Sequence, residues 1–262
     1  MSARRKSVPQ GAGLHAAASA GFRDAHRYDV ARPDYPEDAV EWLAAALALG
    51  PAVRVLDLGA GTGKLSDLVA PRCGSLVAVE PIAEMRRALS HRVPRVQAVA
   101  GVAQALPLRD GAVGAVVCGQ SFHWFATTPA LAEIHRVLAP RGRLGLLWNQ
   151  RDESRPWVRE LGELLRPLEG DAPRFRTGRW RDPFEASTLF SPLASKDFAN
   201  EQAGPPERIV ERIATTSIVA ALPEDRRAGV LEAVRAIAQR EAGADGQVTL
   251  PYVTHAYWCE RR

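Results

Sequence analysis

Apolar positions along this chain come in short runs separated by stretches of helical spacing. Five such runs stand between residues 53 and 149. They are Val53-Arg54-Val55-Leu56, Leu76-Val77-Ala78-Val79, Val96-Gln97-Ala98-Val99-Ala100, Val113-Gly114-Ala115-Val116-Val117-Cys118 and Arg143-Leu144-Gly145-Leu146-Leu147-Trp148-Asn149. Their length and residue types predict strands. Helix-forming stretches lie between them, among them 64–70 and the amphipathic 129–138, which the turn Ala139-Pro140-Arg141-Gly142 follows. The alternation of strand and helix predicts an α/β fold with a doubly wound, mostly parallel sheet and right-handed crossovers.

The flanks read differently. Residues 1–20 are rich in Ser, Ala and Gly and are expected to form a mobile tail. Residues 36–49 predict a helix, with Ala39, Val40, Leu43, Ala46 and Leu47 at helical spacing to cover one face of the sheet. After Asn149 the pattern loosens. Residues 157–165, 206–220 and 224–242 predict helices, 167–183 a loop, and 189–199 a strand. The final run at 248–258 is strand-like, and Pro251 within it argues for an edge position or a bulge. The expected organisation is a tail at 1–20, an α/β core at 21–150, a lid that selects substrate at 151–245, and a closing strand at 246–262.

The chemistry concentrates where the first strand ends. Asp57-Leu58-Gly59-Ala60-Gly61-Thr62-Gly63 turns from a strand into a helix through three alternating glycines. Glycine tolerates positive φ and close approach of a ligand, and the following helix start offers N–H groups to a negative group. The spacing is G-x-G-x-G with an acid two residues ahead, not the G-x-G-x-x-G of a dinucleotide fingerprint. The second strand ends at Glu80, placed to accept hydrogen bonds from two ribose hydroxyls. The fourth strand leads into Gln120-Ser121-Phe122-His123-Trp124-Phe125, which should face the ligand, since open α/β sheets bind beyond the carboxyl ends of their strands. His123 is a candidate general base.

The glycine loop with its preceding acid resembles the first motif of the class I S-adenosylmethionine-dependent methyltransferases. Within that class the chain resembles the small-molecule branch that includes trans-aconitate methyltransferase-like proteins. Three segments carry this likeness: Tyr28-Asp29-Val30-Ala31-Arg32-Pro33-Asp34-Tyr35-Pro36, Gln120 to Phe125, and Trp148-Asn149-Gln150-Arg151-Asp152. The resemblance implies a seven-stranded sheet whose last strand is antiparallel, and S-adenosyl-L-methionine as cofactor. It implies a cofactor-binding set of Tyr28, Arg32, Asp57, Gly59, Ala60, Gly61, Gly63, Glu80, Pro81, Val102, Ala103 and Gln120. Arg32 would pair with the cofactor carboxylate, and Asp57 would orient the loop or reach the methionyl ammonium. Gly101-Val102-Ala103-Gln104-Ala105-Leu106-Pro107 would lie along the adenine. Many relatives carry Asp where this chain has Val102, so backbone groups of Val102 and Ala103 would make the adenine contact.

Composition narrows the partners. The chain has 262 residues and a net charge of +4, with almost all of the basic residues Arg rather than Lys. Scattered charge of this kind reflects a GC-rich coding sequence better than a nucleic-acid surface. The exception is Arg174-Phe175-Arg176-Thr177-Gly178-Arg179-Trp180-Arg181, which reads either as a solvated loop or as a site for an anionic substrate. Cys73, Cys118 and Cys259 show no metal spacing, and their use fits a reducing cytoplasm. No apolar stretch approaches the ~18 residues of a membrane span, and no signal peptide is read.

The expectation is a cytoplasmic, metal-independent methyltransferase acting by in-line displacement on oxygen, nitrogen or carbon of a small-molecule acceptor. It has no membrane or nucleic-acid partner, and homodimerisation stays open. A quinone- or sterol-type carbon methyltransferase is the runner-up within the class. The alternatives outside it are a nicotinamide-dependent oxidoreductase and a non-catalytic cofactor-binding regulator.

Overall fold

The computed structural model describes residues 29–262. The expected tail at 1–20 and Tyr28 lie outside the described residues. Seven strands form one sheet: β1 (Arg54–Leu58), β2 (Ser75–Val79), β3 (Gln97–Val99), β4 (Val113–Gly119), β5 (Leu138–Arg151), β6 (Ala194–Gly204) and β7 (Val248–Glu260). Their order is β3-β2-β1-β4-β5-β7-β6. β1 to β5 pair in parallel, whereas β7 runs antiparallel to both β5 and β6. The order reverses between β1 and β4, which puts a crevice at the carboxyl ends of these strands.

Alternate residues of the central strands feed two cores. Leu56 and Leu58 of β1 and Val116 and Cys118 of β4 face one core, Val55, Ala115 and Val117 the other. Helix α1 (Glu37–Ala46) covers the second face with Ala39, Val40 and Leu43. Helices α2 (Lys64–Val69) and α3 (Ala83–Arg92) supply Leu65, Val69 and Leu89 to the same side. Helix α4 (Thr128–Val137) covers the first face with Leu131, Ile134 and Val137. Each such side chain contributes roughly 1.5–3 kcal/mol by leaving water. Thr127 starts α4, its hydroxyl accepting from the Ala130 N–H at 3.4 Å.

The segment after β5 builds a third core. Helices α5 (Pro156–Leu165), α7 (Pro206–Ala214), α8 (Ser217–Ala220) and α9 (Glu224–Arg240) bury Leu161, Ile213, Val219 and Val234 against Leu250 and Tyr252 of β7. A single turn, α6 (Asp182–Glu185), lies between α5 and β6.

Four sequence expectations change here. The turn at 139–142 is instead a bulge inside β5. Val113 faces Leu138 while Ala115 faces Arg143, and Arg141 sits at φ 62°. The helix expected over 206–220 breaks into α7 and α8. Thr215 and Thr216 return their hydroxyls to the carbonyls of Arg212 and Ile213, competing with helix continuation. The strand expected at 189–199 falls at 194–204 and joins the core sheet, so the stretch between β5 and β7 is more than a helical cover. Finally, β7 is an interior strand, yet Pro251 is tolerated within it. The ladder to β5 ends at Tyr252; Pro251 is opposite Glu201 of β6, and on the other side it uses only its carbonyl, which accepts from the Asp152 N–H at 3.0 Å.

Candidate active site

Strand register brings two acids together. Asp57 pairs with Ala78 and Leu58 with Val79, so β1 and β2 end side by side and deliver Asp57 and Glu80 to one cleft. The glycine loop passes between them. The Gly59 N–H donates to the Val79 carbonyl at 2.8 Å, and the Gly61 N–H donates to Glu80 Oε2 at 3.0 Å. Gly59 sits at φ 69°, and a Cβ there would lie 2.7 Å from Ser121 Cβ, so only glycine fits. At Gly61, φ 57°, an added Cβ would meet nothing within 4 Å, because this residue faces the open cleft.

The two carboxyls have different surroundings. Glu80 accepts from the N–H groups of Ile82, at 2.9 Å, and Gly61. Burial raises its pKa, an effect partly opposed by those two N–H groups and by Arg86. Asp57 is fully buried. Its Oδ2 accepts from the Ser66 hydroxyl at 2.6 Å, while Oδ1 has no partner among the described residues. Burial pushes its pKa up to about 7, with the Glu80 charge adding to the rise and Ser66 opposing it. A buried carboxylate oxygen without a donor is costly, and a cation or N–H donor entering the cleft would satisfy it.

Val79, Ile82, Met85 and the turn at 101–104 line the opposite wall, the turn closed by the Ala105 N–H on the Val102 carbonyl at 3.1 Å. Gln120 closes the end of β4 at φ 55°, a region sparsely used by non-glycine residues. It is held there by its N–H on the Leu147 carbonyl and its Nε2 on the Asn149 carbonyl, at 2.8 and 2.9 Å.

Of the expected cofactor residues, Arg32, Asp57, Gly59, Ala60, Gly61, Glu80, Pro81, Val102, Ala103 and Gln120 all line this cleft. Gly63 does not. It precedes α2 at φ 87°, and its missing Cβ makes room for Leu89, which an added Cβ would meet at 2.9 Å, so its requirement is for packing.

A second cavity adjoins the first and shares Arg32, Gln120 and Trp124 with it. His123 lines only this second cavity. Its Nδ1 accepts from the Trp148 Nε1–H at 3.0 Å, so the neutral ring carries its proton on Nε2. Desolvation, with the charges of Arg174 and Arg32, depresses its pKa to about 3. In this state the ring, expected from sequence as a general base, offers its Nε2–H to the cavity while Nδ1 is engaged by Trp148. Arg32 donates to the Thr215 carbonyl at 3.3 Å, tying the entry segment to the end of α7.

The Arg174–Arg181 stretch divides: Arg176, Thr177 and Arg179 are exposed, while other residues turn inward. Its aromatic residues enter the core: Trp180 is buried and packs on Trp148 and Phe175. Arg181 lies over the Trp180 ring at 4.2 Å, Arg176 pairs with Glu169, and only Arg174 and Arg176 of its arginines reach the cavity. Sequence reasoning missed Arg151 and Arg212 as cavity residues. The signal for Arg212 was a charge on the same stretch of helix as Ile209, Val210 and Ile213. It also missed Asn149, whose Oδ1 accepts from Thr254 at 2.5 Å and Asn200 at 3.2 Å, joining β5, β7 and β6 beneath the site.

Residues 56–146 match the family model described as a methyltransferase domain. The chain is 34% identical over 242 residues to an uncharacterized methyltransferase-like protein of Schizosaccharomyces pombe, covering 91% of this chain and 94% of that protein. It is 39% identical over 235 residues to an uncharacterized methyltransferase of Mycobacterium tuberculosis, covering 87% and 89%. Among solved structures it is similar to a type II methyltransferase from Anaeromyxobacter dehalogenans, with a TM-score of 0.63 and 24% identity over 88% of this chain and 97% of that one. That likeness supports the α/β sheet architecture.

Proposed function

Because the chain belongs to the S-adenosylmethionine-dependent methyltransferase family, we propose that the acid-lined cleft holds the cofactor and that the adjoining cavity presents a small-molecule acceptor to it. The observation that carries this reading is the pairing of Asp57 and Glu80 at the ends of β1 and β2 on either side of the glycine loop. The unpartnered, buried Asp57 Oδ1 suits the cationic methionyl ammonium. Glu80 spends one interaction of each oxygen on a backbone N–H and keeps acceptor capacity for the two ribose hydroxyls. Backbone groups of Val102 and Ala103 are assigned to the adenine, with Pro81 at the rim of the cleft. Arg32, on the wall shared by both cavities, is assigned to the methionyl carboxylate.

When bound, S-adenosyl-L-methionine supplies a methyl group on a sulfonium, an electrophile that needs no further activation. The remaining work falls to the protein: aligning donor and acceptor in line and excluding water. Gln120 and Trp124, at the junction of the two cavities, would position the acceptor, and the His123 Nε2–H would hold it as a donor. Helices α5 to α9 would act as the cover over the acceptor. No helix among the described residues is long and apolar enough to cross a membrane. The unpaired Cys73, Cys118 and Cys259 support the cytoplasmic reading.

Calorimetry with S-adenosylhomocysteine and with NADH tests the assignment. Binding of S-adenosylhomocysteine with no response to NADH is expected; the reverse result would sink it.

A further inference from the structure

The second cavity has a charge balance that small-molecule methyl transfer as such does not require. Six arginines line it. Arg166 is compensated by Glu153 at 3.0 Å, and Arg176 is paired with Glu169. Those two glutamates are the only carboxylates on the cavity wall among the described residues, and both are already engaged. Arg32 is held by the Thr215 carbonyl. That leaves Arg151 at the end of β5, Arg174 before the turn Phe175–Thr177, and Arg212 on α7, none of them in a side-chain ion pair.

Arg212 is 6% exposed, and its Nε and Nη1 are buried without a partner, as are Nε and Nη2 of Arg174. Burial and the neighbouring Arg212 charge, with a smaller push from Arg174, draw the Arg151 pKa down to about 10, against the opposing pull of Tyr252 and Glu153. A guanidinium stays protonated at neutral pH, so three neighbouring cations cannot relieve their repulsion by losing protons. Buried charges are tolerated when paired, and here none of the described residues supplies the partner.

We propose that Arg151, Arg174 and Arg212 form an anion subsite that anchors a doubly charged oxyanion, carboxylate or phosphate, carried by the methyl acceptor. Guanidinium forks match both groups bidentately, which lysines would not do. The assignment of the anion to the acceptor rests on the reading above, since the subsite opens onto Gln120 and Trp124 at the edge of the cofactor cleft. The two cavities then suit opposite charges: carboxylates for the cationic donor and guanidiniums for the anionic acceptor.

The test uses the full chain in two titrations. S-adenosylhomocysteine affinity is measured first by calorimetry. The saturated protein is then titrated with succinate, inorganic phosphate and neutral dimethyl succinate, read by calorimetry and by Tm. A dianion is expected to bind and raise Tm while dimethyl succinate does neither. Succinate alone would identify a carboxylate acceptor, phosphate alone a phosphorylated one. Arg174→Met and Arg212→Met should each weaken the dianion about tenfold or more, as loss of a charge-assisted contact does. Both should leave S-adenosylhomocysteine affinity unchanged. Removal of an uncompensated charge should also leave the ligand-free Tm equal or higher, whereas a structural arginine would lower it. Silence toward both dianions, equal binding of dimethyl succinate, or a lowered Tm with unchanged dianion affinity would overturn the subsite. Failure to bind S-adenosylhomocysteine alongside a persisting dianion response would overturn the methyl-transfer reading and leave the anion subsite standing.

Discussion

The two cavities of this molecule share a wall of Arg32, Gln120 and Trp124 but differ in how they are built. The first is made by one contiguous loop and the ends of adjacent parallel strands, and its charged groups are Asp57 and Glu80 with Arg32 and Lys64 at its edge. The second gathers arginines from β5, from the turn after Pro173 and from α7, at positions 151, 174 and 212 of the chain. The first is rigid by backbone geometry, its loop tied strand to strand through Gly59 and Gly61. The second depends on packing among α5, α7 and α9, a core that includes Leu250 and Tyr252 of β7. A donor common to a whole family can be met by a local motif. Under the proposed function, the acceptor is met by residues gathered mostly from the segment between β5 and β7.

Four experiments break or sharpen that contrast, the largest effect first. Gly59→Val puts a branched Cβ into Ser121 at a positive φ, a strain of about 1–3 kcal/mol before the clash is counted. S-adenosylhomocysteine binding should become undetectable by calorimetry, while succinate or phosphate binding in the second cavity persists. Glu80→Ala is expected to weaken S-adenosylhomocysteine by tens-fold or more, since it removes the ribose acceptor and releases the Gly61 and Ile82 N–H groups. An unchanged dissociation constant would remove Glu80 from the cofactor.

Asp57 gives a pH signature. Its folded pKa of about 7 lies above the ordinary 3.8, so the unfolded chain releases this proton first and binds fewer protons through that interval. Ligand-free stability supplied by the protonated form is full below 3.8 and is lost as pH rises through about 7. Denaturant titrations at several pH values should show this decline in the wild type and a flatter curve in Asp57→Asn. Affinity for S-adenosylhomocysteine should rise as Asp57 ionises, and the variant should lose that rise.

The smallest effect is expected on the acceptor side. His123→Ala strands the buried Trp148 indole N–H, at a cost of about 1–3 kcal/mol in stability. With a folded pKa near 3, His123 should contribute no limb near 6.5 to the pH profile of kcat. A limb there that vanishes in His123→Ala would restore this residue as a base.

The glycine loop, Glu80 and Gln120 were legible in the sequence because each lies within a few residues of a strand end, where register alone decides its placement. His123 was legible as a position but not as a role. Its protonation depends on Trp148, 25 residues away, and on the charges of Arg174 and Arg32. The stretch at 174–181 was legible as a source of arginines but not in the burial of its aromatic residues. Trp148, Phe175 and Tyr257 draw Trp180 inward and turn Arg181 onto its face.

By itself, the sequence determined the mostly parallel sheet and the acids that end its first two strands, because strand periodicity and a glycine turn act over a few residues. Tertiary structure alone decided that β7 lies inside the sheet, that Asp57 is buried with its Oδ1 unsatisfied among the described residues, and that Arg151, Arg174 and Arg212 face one cavity. Those outcomes depend on burial and on charges from distant segments, and desolvation is a property of the assembled core rather than of any local stretch of chain.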